Sequence, residues 1–172
     1  MARNVILFLF FLVTQAGWSQ DVYQKLKEAN ITLTAPGKPV ANYVKSVRSG
    51  NLIFLAGHGP AKPDGSYVVG KVGRDLTTAQ GADAAKLTAI SLLSTLHAEI
   101  GDLNKVKRVV KVLGIVNCTE QFTEQPQVMN GFSDVMVSIF GEKGKHARSA
   151  VGMHALPLGF AVEIEMIVEV ED

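Results

Sequence analysis

The chain has 172 residues, of which 47% are apolar and 19% are charged. This length suits one domain with a sizeable buried core. Lys plus Arg number 17 against 16 Asp plus Glu, a balance that argues against a protein that holds nucleic acid by charge. The single cysteine, Cys118, excludes an internal disulfide framework and a multi-cysteine zinc site.

The first twenty residues have the pattern of a secretory signal peptide. Arg3 gives a positive start, residues 5–13 form an apolar run of nine, and Gly17 and Ser19 are small residues where a signal peptidase reads. The run is shorter than the roughly 20 residues that span a bilayer. We therefore expect cleavage near Ser19 or Gln20, a secreted or periplasmic mature protein, and no membrane association after cleavage.

The segment at residues 21–41 predicts a short helix followed by a linker. Residues 23–30 have one apolar side at helical spacing. The run T-A-P-G-K-P at 34–39 is rich in residues that interrupt regular structure. A single domain is then expected over residues 42–172.

Three strands are predicted before the first long helix. Residues 43–47 and 52–56 are strand-like, and the Ser-Gly-Asn turn at 49–51 indicates a hairpin between them. The turn K-P-D-G-S at 62–66 has a proline that sets φ and a glycine that tolerates positive φ. Residues 67–72 are expected to form the third strand.

The clearest helical pattern spans residues 77–100. Thr77 and Gln80 match a capping box, and apolar side chains recur every three or four residues. Gly101 follows as a typical helix stop. A second long helix is expected over residues 123–140.

Three further strands complete the pattern. Residues 106–117 are rich in valine, and residues 148–155 follow a glycine-containing basic loop. Residues 162–170 alternate between core-facing apolar positions and outward positions that include three glutamates. The order β-β-β-α-β-α-β-β predicts an α+β fold, with a mixed sheet and two helices on one face. We expect further copies of the chain to cover the other face.

The sequence carries no common catalytic signature. The sequence has no G-x-S-x-G elbow, P-loop or H-E-x-x-H motif, and its histidines lack ligand spacing. No metal or cofactor is therefore expected. His97 fits a structural role near a helix end, whereas His146 and His154 could line a pocket or lie on the surface. Cys118 fits a small buried residue, with a catalytic thiol as the alternative.

Arg148 stands out because it opens a strand directly after the loop G-E-K-G-K-H. An arginine fixed on a strand and directed into a pocket presents a rigid fork that matches a carboxylate. A surface ion pair is the alternative, which these residues alone do not exclude.

The segment A-R-S-A-V-G-M-H-A-L-P-L-G-F-A-V-E-I-E at 147–165 resembles the signature of the Rid family (reactive intermediate deaminases, also written YjgF). In that pattern an arginine opens a strand, a Leu-Pro turn follows, and a V-E-I-E-like strand comes next. Arg148, Leu156 and Glu163 stand at the corresponding offsets.

Other parts of the sequence resemble the same family in the same order. They are Asn42-Tyr43-Val44, Leu55-Ala56-Gly57, the segment at 101–117, and Phe122 with Asn130. The resemblance covers roughly residues 23–170. It is closest to a longer branch that carries G-K-V-G-R-D-L-T before the long helix and is often labelled an endoribonuclease.

The resemblance implies a chorismate-mutase-like α+β fold in a homotrimer with clefts between subunits. Arg148 would bind the carboxylate of a small 2-imino or 2-enamino acid. Glu163 would then help a water molecule hydrolyse the imine to a 2-keto acid and ammonia. The other binding residues implied by the resemblance are Tyr43, Gly57, His58 and Asn130.

Two positions depart from the family pattern. Many members carry glutamine where this chain has His58, and many carry cysteine where it has Ala150. The export signal also separates the protein from cytoplasmic enzymes that generate enamines. The alternative function is a non-catalytic protein of the same fold that binds small carboxylates. An endoribonuclease is a third, against which the mature chain's 16 basic and 16 acidic residues argue, so no nucleic-acid partner is expected.

Overall fold

The computed structural model describes residues 21–37 and 41–171, and the predicted signal peptide lies outside them. The described residues form three α-helices, five strands and three short 3-10 turns. In chain order the helices and strands are α1 (Val22–Glu28), β1 (Ser46–Ser49), β2 (Leu52–His58), α2 (Thr78–Ile100), β3 (Val106–Asn117), α3 (Gln125–Phe140), β4 (Ala147–Met153) and β5 (Val162–Val170).

The strands form one mixed sheet in the order β1-β2-β5-β3-β4. β3 and β4 are parallel, and the other neighbouring pairs are antiparallel. The alternation predicted for 162–170 is present, because Val162, Ile164 and Met166 are buried while Glu163 and Glu165 point to the other face. The predicted α+β class with a mixed sheet is confirmed.

The long helices cover one face of this sheet, as predicted. α2 begins with the predicted capping box, in which Thr77 and Gln80 bond reciprocally, and contributes Leu92 and Leu96 to the core. α3 contributes Phe132. The short α1 also joins the core, chiefly through Val22 and Leu26, so the N-terminal helix packs on the domain that follows it.

The predicted third strand at residues 67–72 is wrong. Tyr67 and Val69 each form one isolated bridge and Val72 forms two, and their partners lie in different parts of the chain. Because no two consecutive bridges share one partner strand, a continuous ladder does not form. Gly70, with a φ of 121°, also turns the backbone out of the extended region.

Several boundaries differ from the sequence pattern by a few residues. The first strand begins at Ser46 instead of Tyr43, and the strand predicted over 148–155 spans Ala147–Met153. α3 begins at Gln125, two residues later than predicted, with Pro126 in its first turn. The ends of elements depend on caps and bridges that periodicity does not specify.

The second face of the sheet carries exposed apolar side chains. Val47 and Phe54, which are register partners on β1 and β2, are 53% and 40% exposed. A groove of about 290 Å³ runs beside them towards Leu113 and Ile167. We call this surface the open face.

None of the helices in the described part of the chain is long and apolar enough to cross a membrane.

A close contact between α2 and α3 depends on a glycine. A Cβ built on Gly131 of α3 would overlap the carbonyl oxygen of Ala82 in α2, so an added methyl group forces the two backbones apart. We expect Gly131→Ala to lower the free energy of unfolding by about 1–3 kcal/mol, the usual cost of overpacking. Gly37→Ala is the matched control, because Gly37 has open space around it. Urea unfolding of both variants tests this, and equal stabilities would contradict it.

Candidate functional site

A cavity of about 670 Å³ opens beside the β1–β2 hairpin, α2 and β5. It is lined by both polar and aromatic side chains. Four of the residues implied by the family resemblance line it: Tyr43, Gly57, His58 and Glu163.

A break in the sheet register places His58 inside the fold. The pairing of β2 with β5 shifts between Leu55 and His58, so His58 is buried and turned towards α2. Its Nδ1 lies 2.7 Å from the carbonyl oxygen of Ala56, and its Nε2 lies 2.8 Å from Oγ1 of Thr95. A carbonyl can only accept, so Nδ1 carries the proton and Nε2 accepts from the hydroxyl.

The environment of His58 favours the uncharged ring. Burial lowers the pKa of His58 below its ordinary value, and the nearby charge of Lys45 lowers it further, against the opposing hydrogen bond to Ala56. Both ring nitrogens already have hydrogen-bond partners, so His58 lines the cavity in one fixed orientation.

Glu163 lies directly over the backbone of Gly57. A Cβ built on Gly57 would overlap the Glu163 carboxyl group, so this approach requires glycine. Burial raises the pKa of Glu163 above its ordinary value, and the neighbouring charge of Glu165 raises it further. A carboxyl group of raised pKa that lines a cavity is suited to proton transfer.

Arg148 belongs to a second cluster, on β4 and α3. Its Nη1 donates to Asn130 Oδ1 (3.1 Å) and to Ser133 Oγ (2.9 Å), and its Nη2 donates to the carbonyl oxygen of Pro126 (3.3 Å). These bonds use three of the five N–H groups. Among the described residues Nε and one N–H of Nη2 have no partner, and these two nitrogens form one edge of the guanidinium.

The charge of Arg148 is not neutralised by a carboxylate in the described part of the chain. Its three partners are an amide oxygen, a hydroxyl and a backbone carbonyl, and none of the described ion pairs includes it. The predicted alternative of a surface ion pair is therefore absent there. An arginine held in place but still charged is suited to binding an anion.

One protomer does not bring the two clusters together. Arg148 is the register partner of Val112, which is buried against the helices, and its own bonds reach α3. Glu163 lies on the opposite face of β5, across from Ile115. The sheet therefore separates Arg148, which bonds Asn130, from Glu163, which lies over Gly57.

Three polar contributors to these clusters were missed by sequence reasoning. Ser133 follows Asn130 by three residues on α3, a helical spacing that could have indicated a shared face. Thr95 and Lys45 carry no such signal, because their proximity to His58 depends on tertiary packing. Lys45 lines the cavity, and burial lowers its pKa.

The remaining residues singled out from the sequence have mainly structural surroundings. Cys118 is free and buried, as predicted. His97 contacts the hydroxyl of Tyr23 through Nδ1, which agrees with a structural role, and His154 is exposed. Within residues 21–37 and 41–171, no group of three or more His, Cys, Asp or Glu side chains is placed to hold a metal ion.

A mixed five-stranded sheet with helices on one face, in this strand order, defines a protein of the chorismate-mutase-like class. Residues 24–170 match the family described as "YjgF/chorismate mutase-like, putative endoribonuclease". The chain belongs to this YjgF/Rid family, which confirms the resemblance read from the sequence.

Individual relatives agree over nearly their whole length. The chain is 42% identical over 155 residues to Protein TCP17 of Trypanosoma cruzi, covering 90% of this chain and 97% of that protein. The crystal structure of Atu1372 from Agrobacterium tumefaciens is 41% identical, with a TM-score of 0.82 and coverage of 89% and 96%. RidA from an Antarctic Psychrobacter is 26% identical, with a TM-score of 0.56 and coverage of 79% and 94%.

The neutral His58 predicts a pH dependence of stability. Its pKa is lower in the folded chain than the ordinary value of about 6.5 in the unfolded chain, so its contribution is complete above that value and is lost as the pH falls below it. We expect the stability advantage of the wild type over His58→Gln to shrink between about pH 7.5 and pH 5.5. Denaturant unfolding at both pH values measures this, and contributions from His146 and Glu163 cancel in the comparison. A constant or growing difference would contradict the prediction.

Proposed function

We propose that the protein is a deaminase that hydrolyses small 2-imino or 2-enamino acids to 2-keto acids and ammonia. The proposal is carried by Arg148, whose guanidinium is held by neutral oxygens and keeps one edge available. That edge matches the two oxygens of a carboxylate, which every such substrate carries next to its imine carbon. Membership of the YjgF/Rid family supports the reaction class.

The chemistry needs little beyond positioning and proton transfer. A 2-enamino acid first becomes the imine by gaining a proton at its β-carbon and losing one from its nitrogen. Water then adds to the imine carbon, the resulting carbinolamine releases its nitrogen as ammonia, and a carbonyl group remains. Glu163 in its carboxylate form takes a proton from the attacking water and returns it to the departing nitrogen. The iminium carbon is already electrophilic, so holding the substrate carboxylate next to this group supplies much of the rate.

We propose a homotrimer in which each cleft combines the two clusters from neighbouring protomers. Arg148 and Glu163 lie on opposite faces of one sheet, so a small substrate reaches both only if they come from different chains. The exposed apolar side chains of the open face, including Val47 and Phe54, support an association that buries this surface. We further propose that the mature protein works outside the cytoplasm, on the basis of the signal-like first twenty residues.

The second candidate is a protein that binds small carboxylates without catalysis. It is favoured by the completeness of the Arg148 cluster, since Asn130, Ser133 and Pro126 hold the guanidinium within a single protomer. Binding through this cluster needs no contribution from Glu163. Calorimetric binding of pyruvate, combined with no acceleration of imine hydrolysis, would favour this function.

Removal of the guanidinium should strongly reduce the proposed activity. We expect Arg148→Met to lower kcat/KM for 2-aminoacrylate, generated in the assay, by at least about 100-fold, because a charge-assisted carboxylate contact is lost. Ammonia and keto-acid release measures this. The control is Arg108→Met, since Arg108 is an exposed arginine on β3. A wild type no faster than Arg148→Met would reject the deaminase.

Because the pKa of Glu163 is raised, we expect the activity to be lost at low pH. The active form is the carboxylate, so kcat should fall as the pH drops through a value above the ordinary glutamate pKa of about 4.3. Glu163→Gln should lower kcat by about 100-fold or more and remove this fall from the pH profile. If Glu163→Gln keeps the wild-type pH profile of kcat, another group carries out the proton transfer.

The open face provides a test of the proposed assembly. We expect Phe54→Glu to convert a trimer into monomers, because the substitution places a charge in an apolar surface that is buried on association. Val137→Glu is the matched control, since Val137 is similarly exposed (37% against 40%) but lies on α3. Sedimentation analysis of the three proteins reads the result. A monomeric wild type, or equal effects of the two variants, would contradict the proposed interface.

A further inference from the structure

A chain of hydrogen bonds connects the guanidinium of Arg148 to a buried segment of backbone. Nη1 of Arg148 donates to Ser133 Oγ at 2.9 Å. The same Oγ lies 3.1 Å from Nε2 of His146. Nδ1 of His146 lies 2.7 Å from the carbonyl oxygen of Gly144, a buried residue.

The direction of each bond follows from the chemistry of its atoms. The carbonyl of Gly144 can only accept, so Nδ1 of His146 carries the proton. Nε2 then has a free lone pair and accepts from the hydroxyl of Ser133. The lone pairs of Ser133 Oγ remain available for Arg148, so every bond in the chain has one donor and one acceptor.

We propose that Ser133 and His146 are positioning residues for Arg148, and that they fix the orientation of the edge it presents to a ligand carboxylate. This inference rests on the proposed function for the role of Arg148 itself. Ser133 bonds the guanidinium directly, and His146 acts through Ser133. Neither residue touches the reacting atoms.

The end of the hydrogen-bond chain at Gly144 is held rigidly. A Cβ on Gly144 would overlap the backbone of α3 at Met136, so the segment at 141–144 lies directly against that helix. The ring of His146 also packs edge-to-face on Phe132, with centroids 6.0 Å apart and planes at 79°. A side chain bonded to this backbone cannot swing without disturbing the core.

The surroundings of His146 favour the neutral ring, which is the form that can accept the hydrogen bond from Ser133. Burial lowers the pKa of His146, and the charge of Arg148 lowers it further, against the hydrogen bond to Gly144. Two further charged groups lie next to these residues in sequence: Lys145, which pairs with Glu142, precedes His146, and Asp134 follows Ser133 on α3.

Calorimetric titration of pyruvate into the full chain tests the positioning. We expect Ser133→Ala to weaken pyruvate binding about tenfold, while Ser133→Thr, which keeps a hydroxyl, stays within about twofold. His146→Leu should also weaken binding. His146→Gln should restore it, because an amide supplies the same donor towards Gly144 and the same acceptor towards Ser133. Melting temperatures identify variants that fail to fold.

A second measurement does not depend on ligand binding. The histidine titration of the wild type and of Arg148→Met is followed by NMR. The pKa of His146 should rise when the arginine charge is removed, while that of His58, which bonds Ala56 and Thr95 in the other cluster, stays unchanged.

The outcomes separate the two proposals. Wild-type affinity in folded Ser133→Ala and His146→Leu overturns the positioning role, as does failure of His146→Gln to rescue. If the wild type binds no pyruvate, carboxylate binding fails as a function and the titration alone decides. An unchanged pKa of His146 in Arg148→Met then overturns the closeness of the ring to the guanidinium on which the positioning role depends, and a raised pKa supports it.

Discussion

The positive charge of Arg148 is held in place by oxygens that carry no charge of their own. An ion pair would have fixed the guanidinium equally well, but it would have cancelled the charge that an anionic ligand needs. Asn130, Ser133 and the carbonyl of Pro126 instead satisfy three donors and leave the charge in place. The desolvation of a half-buried guanidinium is thus partly offset by hydrogen bonds, and a carboxylate that arrives at the free edge supplies the missing counter-charge. The proposed function depends on a positive charge at Arg148 that is held by hydrogen bonds but is not neutralised within the described residues.

The geometry of a strand accounts for the separation of the two clusters. Successive side chains on a strand point to opposite faces, and neighbouring residues in register share a face. Arg148 shares the helix-covered face with Val112, and Glu163 shares the open face with Ile115. No rotamer change brings the two groups together through a sheet. A substrate of only a few heavy atoms that uses both groups therefore requires two chains, and the apolar open face offers a surface on which a second chain can pack.

The elements that sequence reasoning placed well are those with a local physical cause. The capping box at Thr77 and the valine-rich run at 106–117 act within a few residues, and both elements are found with nearly the predicted bounds. The strand predicted over residues 67–72 does not form, because a strand needs one continuous partner and the fold provides none there. The same reason limits how much of the candidate site can be predicted from the sequence. Arg148 could be singled out from its place at the start of a strand, whereas the bond from His58 to Thr95 spans 37 positions in the chain. Such contacts arise only from tertiary packing.

The replacement of glutamine by His58 is less of a departure than the change of residue type suggests. A neutral histidine with its proton on Nδ1 offers one donor and one acceptor, which is the pair of groups that a glutamine amide presents at its tip. Ala56 and Thr95 use both groups, and the lowered pKa keeps the ring in this form. His58 therefore has no free nitrogen with which to take a proton from water. Glu163, whose pKa burial shifts in the opposite direction, lies over the backbone of Gly57 on the wall of the same cavity. Proton transfer in the proposed reaction falls to this carboxyl group, and the histidine serves to hold the cavity wall against α2.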